Sequence, residues 1–397
     1  MNSGGWVARR LYQVRCRRLP LPRVVAVAVV ALAHLSIGAQ LAAQSIPFSM
    51  RVDGAGHANL PRLNLAHELA ARGPVAGVIW SSDGTKLAAS SADRPGAGIP
   101  GIFDLPDPDS SLIMIWNADG TVFRELRRSR PFIHTPETFA FVAGNWQVAA
   151  PPPLDSNNLA LSVFDLATGE VVHDIRSDYP GGERFRNGAM KLVASPDQSI
   201  LAVGFGHRGP RPIALYSTMD WGKLGDLPDR PKDIGEQALA FSRDSKFLAV
   251  CMDGDNVLIY DLSSRKVVLR FSAFQDRNVC DSIAFSPDGS MIAVASPASG
   301  QSDKNPVRLF STKNHAPVAV YREPVHWVES LDWSPDGEVI AFVANHRVLH
   351  LWDPFQAQTA ERTIDLDRDA DSLAFSPDGR KLAIGVGRNV KIFSLTQ

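Results

Sequence analysis

Seven times in this chain an aromatic residue is followed by a small turn-forming one: Trp116-Asn117, Phe164-Asp165, Tyr216-Ser217, Tyr260-Asp261, Phe310-Ser311, Trp352-Asp353 and Phe393-Ser394. Successive aromatics lie 48, 52, 44, 50, 42 and 41 residues apart. A second repeat precedes each one. It reads Trp80-Ser81-Ser82-Asp83-Gly84, Ala194-Ser195-Pro196-Asp197, Phe241-Ser242-Arg243-Asp244-Ser245 and Phe285-Ser286-Pro287-Asp288-Gly289. Trp333-Ser334-Pro335-Asp336-Gly337 and Phe375-Ser376-Pro377-Asp378-Gly379 continue the series, and one copy has decayed to Phe141-Val142-Ala143-Gly144-Asn145. Proline pre-sets φ at the first turn position, aspartate bonds its own backbone, and glycine takes positive φ freely.

Apolar runs flank each turn, such as Ser282-Ile283-Ala284-Phe285 before and Met291-Ile292-Ala293-Val294-Ala295 after. Bounded by breakers, these read as strands a and b of a hairpin. Strand c then carries the aromatic. Strand d follows after a polar turn, as in Val122-Phe123 and Val267-Val268-Leu269. A four-strand unit repeating every ~40 to 50 residues is a β-propeller blade. The fold predicted is all-β: seven four-stranded antiparallel blades in a ring. The last copy has its strand c but no strand d, so residues 61–71 are expected to supply it. Such closure joins the chain ends and leaves no open edge.

These motifs resemble those of the WD-repeat propeller family over roughly residues 60–397, and Trp352-Asp353 is a literal copy of its dipeptide. The resemblance implies a ring that binds partners on its surface. One feature departs from the family. The Gly-His before strand a, which feeds a buried Asp–His–Ser/Thr–Trp network, is absent from all seven positions. Blades here are expected to hold together more through Phe and Val packing. The Ser-Pro-Asp-Gly turn is also similar to that of Tol-type periplasmic and lactonase-like propellers.

Residues 1–43 stand outside the repeat, and 44–60 read as a short linker. Six arginines (Arg9, Arg10, Arg15, Arg17, Arg18, Arg23) precede an apolar run from Val24 to Ala39, then Leu41-Ala42-Ala43. A basic region, a short apolar core and small residues lay out an export signal. The expected location is periplasmic or extracellular. An uncleaved anchor at residues 24–39 is the alternative, although that run is shorter than the ~20 residues that usually span a bilayer. Without the segment, 35 basic residues face 42 acidic ones. That balance argues against a general nucleic-acid binder, which shows a basic face. Cys251 and Cys280 fall near the same end of neighbouring blades. Export would permit a disulfide; two separate buried thiols are the expectation.

Long connections fall between strands b and c (94–111, 150–158, 206–212, 297–306) and between d and the next a (127–138, 176–188). Both kinds emerge on one side of a propeller, and variable loops on one side mark a binding face. Locally basic and aromatic residues there, Arg127, Arg128, Arg130, Tyr179, Arg184, Phe185 and Arg186, are the candidate partner contacts. Arginine and aromatics are frequent interface anchors.

No nucleophile elbow, phosphate-cradling loop, dinucleotide fingerprint or haem motif occurs. No catalytic residue or cofactor is assigned. The repeated turn aspartates belong to turns, and His350 is expected to pack within the sheet. Glu236, Asp281, Glu329 and Asp371 are expected around the channel mouth on the insert face, where four carboxylates could hold a cation. The reading is a monomeric, exported, non-catalytic interaction scaffold for a protein or cell-envelope partner. A metal-dependent lactonase-like hydrolase using that acidic mouth is the alternative.

Overall fold

The computed structural model describes residues 60–396 apart from 93–110, 129–138, 152–158, 177–188, 206–212, 229–235, 253–255, 275–279, 297–305, 324, 326 and 357–359. Twenty-eight strands form seven separate four-stranded antiparallel sheets. Six blades each use four consecutive strands, beginning with Val75–Trp80, Ala140–Val142, Ala189–Ala194, Glu236–Phe241, Ser282–Phe285 and Val328–Trp333. The seventh takes strands a to c from Ala370–Phe375, Lys381–Val386 and Asn389–Thr396, and its strand d from Arg62–Ala70. The expected closure is present, with Arg62 opposite Thr396 and Ala70 opposite Asn389.

The core is divided among the seams. Seven apolar clusters each join neighbouring blades. Ile340, Phe342 and Trp352 of blade 6 pack with Ala293 and Leu309 of blade 5, and Leu69, Val390 and Ile392 of blade 7 pack with Val78, Leu87 and Trp116 of blade 1. A blade cannot bury its apolar face alone, so ring formation and burial are one event. The repeat aromatics supply much of this packing. Trp116 and Trp352 are almost wholly buried.

A repeated serine hydrogen bond adds a second layer of contacts at three seams. A serine in strand a accepts a backbone N–H from strand a of the next blade: Leu331 N donates to Ser282 Oγ at 3.1 Å, Leu373 N to Ser330 Oγ at 3.3 Å, and Val78 N to Ser372 Oγ at 3.0 Å. Asp332, buried and thereby pushed up to about 6, also accepts the Phe375 N–H at 2.9 Å. On the turn side, Gly337 and Gly379 (φ 79° and 70°) face Pro287 and Pro335 of the preceding blade. Seams 5/6, 6/7 and 7/1 are thus stapled at two levels. Seam 5/6 carries a further buried polar contact: Tyr321 Oη lies 2.9 Å from His350 Nδ1, and His350 stacks on Phe342.

The turn aspartates behave as the repeat implied. In each of six turns the serine hydroxyl donates to the aspartate, as in Ser286–Asp288 at 2.6 Å. In five of these turns partial burial pushes the carboxyl up, but the serine and backbone donors outweigh it. Asp83, Asp197, Asp244, Asp288 and Asp378 end below the ordinary range.

Cys251 and Cys280 do not remain separate thiols. They form a disulfide with Cα atoms 5.8 Å apart, within the reach such a bridge requires. The sequence placed both at one end of adjoining blades but could not supply that distance.

Candidate functional site

The two faces of the ring differ in construction. On one, the a–b and c–d connections are uniform, four to six residues each. On the other, the b–c and d–a connections run from two residues (386 to 389) to eighteen (92 to 111). Most of the long ones lie outside the described residues, among them Arg130, Tyr179, Arg184, Phe185 and Arg186. Arg127 and Arg128 are not in a loop as expected. They end strand d of blade 1, Val122–Arg128, because pairing with strand c continues to Ser111–Arg128. Arg127 is exposed there. Arg124 in the same strand is already used, donating from Nε to Leu166 O at 3.0 Å and so tying blade 1 to blade 2.

At the channel mouth on the variable face, three of the four predicted carboxylates recur at one structural position. Glu329 and Asp371 are the extra residues of bulges that open strand a in blades 6 and 7, and Asp281 precedes strand a of blade 5. A bulge re-aims one side chain out of the ladder. Glu236 does not share the position. It pairs with Met252, and the bulged residue of blade 4 is Gln237. The shared register of this acidic arc thus belongs to three consecutive blades, 5, 6 and 7.

Among the described residues Glu329 is the most perturbed carboxyl. Burial pushes it up to about 8, with Asp371 and Asp281 adding to the shift by repulsion. The His346 backbone N–H and ring Nδ1 both lie 2.9 Å from its Oε1, while Oε2 is buried with no partner. Among the described residues, no group of three His, Cys, Asp or Glu comes close enough to hold a metal ion. Beside this arc Trp327 stands half exposed, its backbone carbonyl accepting the Asn345 N–H at 2.9 Å. The sequence reading passed over Trp327. Its position in a connection, outside any apolar alternation, was the available signal.

Deeper in the channel each blade contributes one apolar side chain from the same strand-a position. These are Val78, Phe139, Leu192 and Leu239 from blades 1 to 4, then Ile283, Leu331 and Leu373. They border a cavity of about 280 Å³ that extends to the turns of blades 1 and 3 at Ser82 and Gln198.

Comparison with known proteins gives the class. Residues 316–353, holding the Trp352-Asp353 copy, match the family described as WD domain, G-beta repeat. The crystal structure of the Cps50 (Swd1) β-propeller domain of Myceliophteria thermophila has a similar fold, with a TM-score of 0.62 at 14% identity, covering 84% of this chain and 100% of that one. The chain is a seven-bladed β-propeller, and one of its blades carries a WD-repeat match.

Among curated proteins it is similar to the U3 small nucleolar RNA-associated protein 18 homolog of Mus musculus, 26% identical over 57% of this chain. An uncharacterized WD repeat-containing protein of Synechocystis sp. is 27% identical over 37% of it, and the WD repeat and SOCS box-containing protein 1 of Danio rerio 29% over 28%. The chain spans 40% of the length of the first two relatives and 25% of the third.

Proposed function

We propose that this propeller is an exported, non-catalytic interaction scaffold that holds a protein or cell-envelope partner on the face bearing its b–c and d–a connections. The observation that carries this reading is the contrast in connection length. One face is closed by turns of four to six residues, while connections on the other vary from two to eighteen. Variation confined to one side of a rigid scaffold is how repeat proteins build recognition surfaces. Half-exposed Trp327 and exposed Arg127 add the residue types that anchor interfaces. Export is supported by the layout of residues 1–43 and by the Cys251–Cys280 bridge, since disulfides persist in oxidising compartments.

The test is capture from the native envelope by the purified chain, compared with a variant carrying Glu at Arg127, Arg128, Arg184 and Arg186. Partner recovery should fall at least tenfold with the melting curve unchanged, whereas Arg380→Glu on the turn face should leave it intact. Equal recovery by both variants would move the interface elsewhere.

A further inference from the structure

Blade 3 departs from all other blades at one position and, like blades 2 (Asn145) and 4 (Ser245), lacks glycine at a second; both of its residues line the same cavity. The first residue of the a–b turn motif is aromatic in six blades: Trp80, Phe141, Phe241, Phe285, Trp333 and Phe375. In blade 3 it is Ala194, which lines the cavity. Four residues on, blades 1, 5, 6 and 7 place glycine in the left-handed turn position. Blade 3 has Gln198 there, at φ 62°, a conformation that strains a side chain of this kind. Gln198 also lines the cavity, bonding across the seam only by a long 3.3 Å contact from Nε2 to Phe141 O. Its Oε1 is buried with no hydrogen-bond partner.

Other polar groups on the wall are already used. Ser282 and Ser330 Oγ hold the next blade's backbone, Ser82 bonds Asn145, and Trp80 Nε1 donates to Ala374 O at 3.2 Å. No Asp, Glu, Lys, Arg or His borders the cavity among the described residues. Volume, shape and chemistry converge. At about 280 Å³ the space lies near the lower end of small-molecule pockets, ~300 to 1,000 Å³. Ala194 stands on this wall where the other blades carry an aromatic ring, and among the described residues the one polar side-chain atom of the wall without a partner is an acceptor.

We propose that this cavity is a binding site for a small, uncharged, planar aromatic molecule bearing one hydrogen-bond donor. The ring occupies the place that the other blades fill with Phe or Trp, and the donor meets Gln198 Oε1 as the loose contact to Phe141 yields. A strained glutamine with an unsatisfied carbonyl is costly to keep in the empty protein, and the bound donor removes part of that cost.

Indole and its isostere benzofuran, which lacks the N–H, are the probes, read by calorimetry and thermal melts on the full chain. Indole should bind wild type with a Kd of a millimolar or tighter and raise its Tm, with benzofuran at least fivefold weaker. Ala194→Phe, which restores the ring seen in the other blades, should abolish both. Gln198→Gly should fold at least as well as wild type, because glycine accepts φ 62°, and should bind both probes alike. Absence of indole binding to wild type, or undiminished binding to Ala194→Phe, would overturn the site. Equal affinity for the two probes in wild type would overturn the role of Gln198.

Discussion

Cys251 and Cys280 are bonded across the seam between blades 4 and 5, where the staples of the adjoining 5/6 seam are missing. Blade 4 has Ala238 where blades 5, 6 and 7 have the stapling serine, so no side-chain acceptor reaches across to Ile283. It has Arg243 in place of the turn proline, and Gly289 of blade 5 faces open space. Arg243 reaches past blade 5 instead, donating to Pro335 O of blade 6 at 2.9 Å. The covalent bridge thus joins two blades at a seam that lacks the repeated serine and proline contacts.

Reduction should therefore loosen this seam first. Closing a loop of 29 residues is worth about 3 to 4 kcal/mol in the chain-entropy account. The Cys251→Ala/Cys280→Ala variant should lose stability of that order in urea titrations. A reducing agent should lower the midpoint of wild type and leave the variant unchanged. Identical midpoints for oxidised wild type and variant would refute the role.

The serine staples make a graded prediction. Ser330→Ala leaves the buried Leu373 N–H without its acceptor, at a cost of about 1 to 3 kcal/mol. Ser372→Ala should cost a similar amount at the 7/1 seam, where Val78 donates. Because Leu373, the donor to Ser330, directly follows Ser372, the two sites are neighbours, and the double variant should depart from the sum of the single variants by about 0.5 kcal/mol or more. Equilibrium unfolding of the two single variants and the double variant measures all three quantities.

Closure of the ring depends on Arg62–Ala70. Removing residues 60–71 strips strand d from blade 7 and exposes the edge of Asn389–Thr396. It also removes Leu69, a buried side chain worth about 1.5 to 3 kcal/mol. The truncated chain should unfold at a clearly lower temperature and associate through the open edge, visible as larger species in light scattering. A truncated protein that melts like wild type and stays monomeric would contradict this.

The ring was legible because each blade repeats the same local instructions. Ser-Pro-Asp-Gly prescribes its turn chemistry without tertiary information, and an aromatic beside Asp or Ser marks strand c wherever it falls. The closing strand followed from counting. Contacts between blades were harder to read. Ser282, Ser330 and Ser372 look like ordinary strand residues until the ring brings the next backbone to 3.0–3.3 Å. The acidic arc was half visible, since Asp281, Glu329 and Asp371 share a register that Glu236 misses by one bulged residue. The cavity was written in the exceptions: Ala194 and Gln198 break a pattern that draws attention to the residues keeping it.

Glu329 makes the stability of the ring depend on pH in a definite direction. In the folded chain its carboxyl is held at about 8, chiefly by burial and further by Asp371 and Asp281, against an ordinary value of 4.5. Below about 4.5 both folded and unfolded chains keep the proton and the residue costs nothing. As pH rises from 4.5 toward 8, the unfolded chain releases the proton while the folded one retains it. Stability then declines by up to about 1.4 kcal/mol per pH unit, and the loss is complete above about 8. Glu329→Gln keeps an acceptor for the His346 N–H and removes the ionisation. It should match wild type at pH 4.5 and exceed it by about 1 to 4 kcal/mol at pH 8.5. Urea midpoints at the two pH values measure this, and a difference independent of pH would show that Glu329 does not titrate in this range.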